Sequence, residues 1–198
     1  MQSILSDLGI EHTEAWGEAA FYGPKLDVQG KNVHGKEDTL FTVQIDFSLA
    51  TRFDMIYIDE NGEKARPIII HRSSIGCYER TLAMLIEKYN GAFPMWLAPE
   101  QVRVLSLTDR TAEVATNIRN QLFDMGLRTE ADVRSEKLGK KIRDAQLEKV
   151  PYILVVGDKE AEQNVVSVRH RTDGDLGIMS VTDFAKLALM EVATKQIK

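Results

Sequence analysis

The sequence predicts two successive architectures, an α+β region built on an antiparallel sheet with a long helix and then an α/β region with a mixed sheet. Three observations carry that expectation. Phe41, Val43, Ile45 and Phe47 alternate with Thr42, Gln44 and Asp46, the period of two of a strand with one packed and one polar face. Ile75, Tyr78, Leu82, Leu85, Ile86 and Tyr89 recur at three and four residues, the period of an amphipathic helix. Beyond residue 101, strand-like runs alternate with helical ones, the pattern of βαβ units.

Residues 1–10 read as the last turns of a helix closed by Gly9, as though the chain began partway through a larger fold. Met55–Ile58 and Lys64–His71 flank Asp59-Glu60-Asn61-Gly62, and Asn-Gly between apolar runs is a hairpin signal because both residues tolerate positive φ. The helix beginning at Ile75 is expected to stop at Gly91 and Pro94, and on it Gly76 and Arg80 lie one turn apart, off the Tyr78–Leu82–Leu85 stripe. Phe93–Pro99, with two prolines, reads as an extended connection, which places a boundary near Ala98 and gives domains of 1–97 and 98–198.

In the second region Val102–Leu107 is a strand, Thr111–Met125 a helix closed by Gly126, and Leu127–Val133 the next strand. Ser135 is expected to cap a helix running to Lys149, which Pro151 ends. Tyr152–Val156 is a continuous apolar strand of the kind buried on both faces. Val165–His170 is a further strand, and Ser180 opens a final helix.

Composition narrows the function. With 198 residues and 43% hydrophobic content the chain has enough material for packed cores. A net charge of −5 excludes a generally basic nucleic-acid coat but leaves room for a local basic face. The single cysteine, Cys77, excludes an internal disulfide and a CxxC metal pair, and points to a reducing, cytoplasmic setting. No apolar run approaches the roughly 20 residues of a membrane span.

The chemistry concentrates at Pro67–Arg80, an apolar strand ending at His71-Arg72 and followed by a helix that carries Glu79 and Arg80. An arginine early in such a helix can present a guanidinium to a phosphate, which points to nucleotide chemistry. On the N-terminal side, Lys25 and Asp27 alternate away from Leu26 and Val28, and Gln44 shares the polar face of its strand with Asp46. In the second region Arg134, Lys137, Lys140, Lys141 and Arg143 form a basic cluster, and Arg169-His170-Arg171 a second one.

Gly17–Lys25, Thr42–Phe47, His71–Arg80, Trp96-Leu97-Ala98-Pro99 and Gly157-Asp158-Lys159-Glu160, in this order and spacing, resemble threonyl-tRNA synthetases. The likeness covers essentially the whole chain, but only the C-terminal part of such an enzyme. It implies the latter half of a class II catalytic domain followed by an anticodon-binding domain. The activity implied is ATP-dependent activation of threonine, with magnesium, and transfer to threonine tRNA.

Residue by residue, the resemblance implies that Lys25 and Arg80 are catalytic, Arg80 contacting the ATP phosphates. Tyr22 and Gln44 would line the amino-acid and adenylate pocket. His71 would be one ligand of a zinc ion that distinguishes threonine from valine through its hydroxyl, the other ligands lying outside this sequence. Thr39 stands where many relatives carry glutamine, so that nucleotide contact is not carried over. Arg143, Glu160 and Arg169 would face the anticodon, with Ser135 standing where some relatives carry asparagine. The first two class II motifs are missing, so the expectation is a fragment that is inactive alone, holds zinc poorly and still binds the anticodon; a homodimer is implied for the complete enzyme. Two other readings stay open: a free-standing tRNA-binding protein derived from such an enzyme, and a class II synthetase of the prolyl or histidyl type.

Overall fold

A computed structural model describes residues 1–197. They fall into two compact units, Met1–Lys88 and the chain from Tyr89 on.

The first unit begins with α1 (Gln2–Asp7) and is organised by a three-stranded antiparallel sheet of order β1-β2-β5, from Lys25–Lys31, Glu37–Asp46 and Ile69–Arg72. A bulge between Val28 and Gln29 shifts the β1–β2 register, so the faces are continuous only between Lys25 and Val28. A short helix α2 (Leu49–Arg52) follows β2. The Asn61-Gly62 hairpin forms as expected, with β3 (Tyr57–Ile58) pairing β4 (Lys64–Ala65) in a separate two-stranded sheet. Its turn is tied by Asp59, whose carboxylate accepts from the Asn61 and Glu63 N–H groups at 2.9 Å each.

The long helix α3 spans Tyr78–Tyr89, three residues shorter at its start than the periodicity suggests. Gly76 lies outside it, in a turn with φ +75°, where a Cβ would come within 2.0 Å of the Leu40 carbonyl oxygen. Gly76 therefore serves a close backbone crossing rather than a helix face. The stripe also turns: Tyr78, Leu82 and Ile86 are exposed, while Met84 packs beside Gly30 and Leu40 of the sheet.

In the second unit a five-stranded mixed sheet has the order β10-β9-β8-β6-β7. β6 (Val102–Ser106) pairs in parallel with β7 (Thr129–Asp132) and β8 (Tyr152–Val156), joined through α4 (Ala112–Asp124) and α5 (Leu138–Leu147). After α6 (Asp158–Gln163), β9 (Val165–His170) and β10 (Gly174–Ser180) extend the sheet antiparallel, and α7 (Val181–Ala193) closes it. The Ser180 hydroxyl caps α7 by accepting from the Asp183 N–H. Ser135, by contrast, sits in the turn before α5 and makes no cap, because that helix begins at Leu138.

The two sheet faces differ. Tyr152, Leu154, Val156, Val166 and Val168 pack with α4 and α7 residues such as Ile118, Leu122 and Phe184 in one large core, which also takes in Met95. The opposite face carries a smaller cluster of Leu105, Ala145, Val150 and Ile153 under α5. No helix among the described residues is long and apolar enough to cross a membrane.

Candidate functional site

Strand register assembles the polar site of the first unit. Lys25 is the partner of Gln44 across β1–β2, and Gln44 is the partner of His71 across β2–β5, so the three form one transverse row on one face of the sheet. Two positions along β2 on that face lies Asp46, only 1% exposed. Its Oδ2 is 2.9 Å from the His71 Nε2, and its Oδ1 accepts from the Ser48 and Leu49 N–H groups at 2.7 and 2.9 Å. Burial alone would push this carboxyl up; the hydrogen bonds from His71 and those two N–H groups outweigh it and hold it below the usual carboxylate range. An ionised carboxylate only accepts, so His71 donates from Nε2 and keeps Nδ1 as the open nitrogen.

Tyr22 reaches the row from the loop before β1, its hydroxyl donating to the Gln44 Oε1 at 2.5 Å and its ring centred 5.9 Å from that of His71. The loop is held at Gly23, where a Cβ would lie 2.0 Å from the Ile45 carbonyl oxygen. Beside the row is a cavity of ≈ 250 Å³ lined by Tyr22, Gln44, Asp46, His71, Phe21 and Arg52. Arg52 stands over the Phe21 ring at 5.3 Å and is the cation at the rim.

Lys25 donates to the Asp27 Oδ2 at 2.6 Å, while Asp27 Oδ1 accepts from the Thr42 hydroxyl at 2.9 Å. The Asp27 hydrogen bond raises the lysine pKa, so its ammonium stays charged. Arg80 lies elsewhere, exposed on the first turn of α3, and its Nη1 donates to the Thr39 carbonyl at 2.9 Å. Thr39 is five residues along β2 from Gln44, a separation of about 17 Å at strand rise. The structure thus joins Tyr22, Lys25, Gln44 and His71 around one row and sets Arg80 at the far end of the same strand. Asp46, Asp27 and Arg52 were not anticipated as site residues. The shared face of Gln44 and Asp46 was the available signal for the first; Arg52 gives none in sequence.

The fit to zinc is partial. A catalytic zinc needs about three protein ligands. His71, oriented by a buried carboxylate as metal-binding histidines are, supplies one of suitable chemistry. Cys77 hydrogen-bonds to Glu79 instead, and among the described residues no group of three His, Cys, Asp or Glu could hold a metal ion. These residues do not make a zinc site by themselves.

In the second unit most of the basic cluster is already engaged. Arg134 donates to Asp132 at 2.6 Å and to Asp144 at 2.9 Å, and Lys140 to Glu136 at 2.7 Å. Lys141 is 2% exposed and donates to the Ser106 carbonyl and hydroxyl and to the Asp132 carbonyl, closing the ends of β6 and β7. It is a core residue, not part of a basic surface. His170 is buried against the Tyr152 ring, and Arg171 is occupied by backbone carbonyls. Lys137, exposed just before α5, Arg143, exposed on it, and Arg169, half-buried on β9, remain as cations whose side chains make no hydrogen bond or ion pair among the described residues. Arg169 is the register partner of Ile153, so it lies on the sheet face that α5 partly covers. Glu160 sits past the other end of β8, its Oε2 accepting from the Gly157 N–H at 3.1 Å and its second oxygen free for another donor.

Comparison with known proteins follows the same division. Residues 1–89 match the family model of the tRNA synthetase class II core domain (G, H, P, S and T), and residues 101–190 that of the anticodon binding domain. Over 196 residues the chain is 63% identical to a threonine–tRNA ligase of Clostridium botulinum (strain Eklund 17B / Type B) and 61% identical to one of Clostridium perfringens (strain 13 / Type A). Each match covers 99% of this chain and 30% of the relative, so the chain spans under a third of the curated relatives' length. A solved structure of the RNA binding domain of threonyl-tRNA synthetase from Cryptosporidium parvum Iowa II superposes with a TM-score of 0.83 at 32% identity, covering 96% of this chain and 48% of that one.

Proposed function

The chain belongs to the threonyl-tRNA synthetases, carrying the C-terminal part of their class II core and their anticodon-binding domain, and from that premise we propose that it serves threonine activation and tRNA charging as one part of a longer enzyme. The observation that carries this reading is the transverse row Lys25–Gln44–His71, with Tyr22 bonded to it and the buried Asp46 behind it. A polar row of this kind is a pocket wall, and a pure RNA-binding module has no use for it.

In the proposed reaction the threonine carboxylate attacks the ATP α-phosphate and pyrophosphate leaves, after which the threonyl group passes to the tRNA 3′ end. Catalysis of this kind rests on positioning and on cations placed where charge develops. Lys25, kept charged by Asp27, would meet the nucleotide or adenylate. Arg80, with one N–H fixed on the Thr39 carbonyl, keeps the rest of its fork for ATP phosphates. Tyr22 and Gln44 hold each other in place and line the amino-acid side. His71 would give one ligand to a zinc ion completed by residues outside this chain. Arg143 and Arg169 offer cations, and Glu160 an acceptor, to a splayed anticodon loop. The catalytic part is taken as 1–97 and the anticodon part as 98–198. The complete enzyme would be a cytoplasmic homodimer using ATP with magnesium.

Threonine-dependent ATP–pyrophosphate exchange tests the catalytic half. It is expected to be absent from the 198-residue chain and present in the longer protein that contains it. In that protein Lys25→Ala and Arg80→Ala should each lower the rate by roughly 100-fold or more. Exchange by the short chain alone, or full activity in both variants, would overturn the assignment.

A further inference from the structure

Residues 90–98, at the start of the second unit, carry a feature that neither the pocket nor the RNA contacts use. Their backbone carbonyls are gripped one after another by side chains of that unit. Lys149 Nζ donates to Asn90, Arg171 Nη2 to Ala92 and Phe93 at 3.2 and 3.0 Å, and the Gln101 amide to Met95 at 2.8 Å. Arg128 holds Trp96 and Ala98 at 3.1 and 2.9 Å. An ordinary connecting segment leaves such carbonyls to water; this one is a fixed strap.

Arg171 has a special place among these donors. Besides the two strap carbonyls, its Nη1 donates to the Lys149 carbonyl at 2.6 Å and its own N–H to the Pro151 carbonyl at 2.9 Å. Lys149 lies just past the end of α5 with φ +59°, the left-handed residue of a helix cap closed by the bonds of its own N–H to the Gln146 carbonyl and of the Val150 N–H to the Ala145 carbonyl. One guanidinium therefore joins the strap, the end of α5 and the end of β9. Those last two elements carry Arg143 and Arg169, and Arg171 is two residues beyond Arg169. Three of its five side-chain N–H groups are used on carbonyls, which fixes the plane of its fork on the strap and the end of α5.

We propose that Arg171 is a positioning residue that links RNA occupancy at Arg143 and Arg169 to the strap 90–98. The proposal rests on the reading of those two arginines as RNA contacts. RNA that draws on α5 and β9 together restrains both ends of the bridge and tightens its grip on Ala92 and Phe93. A lysine at 171 keeps the charge but cannot bridge three carbonyls with a planar fork.

The test is hydrogen exchange of the full chain with and without a synthetic threonine-anticodon stem-loop RNA. Added RNA should slow exchange at residues 91–93 as well as in α5 and β9. In Arg171→Lys and in Arg171→Met the RNA should bind roughly tenfold more weakly, and at saturating RNA the slowing at 91–93 should vanish while that in α5 and β9 persists. Arg128→Gln, which loosens the strap at Trp96 and Ala98, should keep the RNA-dependent slowing at 91–93. Slowing confined to α5 and β9 in the unaltered chain, or slowing at 91–93 that survives in both Arg171 variants, would overturn the inference alone. No RNA binding by the unaltered chain would overturn the functional reading and this inference with it.

Discussion

The two units hold their residues in place by different means. From Tyr89 on, a two-sided sheet is packed by large buried side chains, Tyr152, Leu154, Leu122 and Phe184 among them. In Met1–Lys88 the buried apolar side chains are only Leu5 and Ala50, while Ile68, Ile70, Tyr78, Leu82 and Ile86 stand exposed. What orders the first sheet is its strand pairing and a polar network, Tyr22 to Gln44, His71 to Asp46, and Lys25 to Asp27 to Thr42. The contrast teaches that the row of Lys25, Gln44 and His71 lies on a sheet with few buried apolar side chains, whereas Arg143 and Arg169 lie in a unit built around a large apolar core.

Core substitutions should expose that contrast most strongly. Phe184→Ala, at a fully buried position, is expected to cost about 3–5 kcal/mol. Ile70→Ala, at a position 65% exposed, should change stability by no more than about 0.5 kcal/mol. Urea unfolding followed by separate probes in the two units measures both. Equal costs would erase the distinction.

The same contrast governs what can be read from the sequence. Local signals worked where the determinant is local: Asn61-Gly62 gave the hairpin, the alternation at 41–47 gave β2, and the Ser180 cap gave the start of α7. The face shared by Gln44 and Asp46 was legible for the same reason. Signals failed where a distant partner decides. Gly76 looks helical by spacing but is claimed by the Leu40 carbonyl, and the Val28/Gln29 bulge has no composition cue. Lys141 and Arg171 look like RNA-facing cations, because nothing local reveals that backbone carbonyls of other elements take their N–H groups. The candidate row needed strand register, which joins Lys25 to a histidine 46 positions later through Gln44.

Acid should act next, and on the second unit by a definite route. The Arg134 hydrogen bond, working against burial, holds the Asp132 carboxyl below its ordinary value. A group depressed in the folded state contributes its stability above its unfolded value, about 3.9, and loses it as pH falls through the lower folded value. Arg134→Met removes that partner, so the Asp132 carboxyl should titrate at a higher pH in an NMR titration. Acid unfolding of this unit should then begin at a higher pH. An unmoved titration would mean that the backbone N–H of residue 134 alone holds the carboxylate.

The smallest effect is an expected absence of change. Lys25→Ala, His71→Ala and Arg80→Ala, all in the first unit, should leave affinity for the anticodon stem-loop within about a factor of two. A larger loss in fluorescence-anisotropy titrations would mean that the RNA-binding surface does not lie in the second unit alone.

The most direct test of the division of labour is binding of the chain to threonine tRNA against the same tRNA with its second and third anticodon bases replaced. Binding that weakens with the replaced bases, and in Arg143→Ala and Arg169→Ala loses the ability to tell the two tRNAs apart, is what the account predicts. Equal affinity of the unaltered chain for both tRNAs would contradict it.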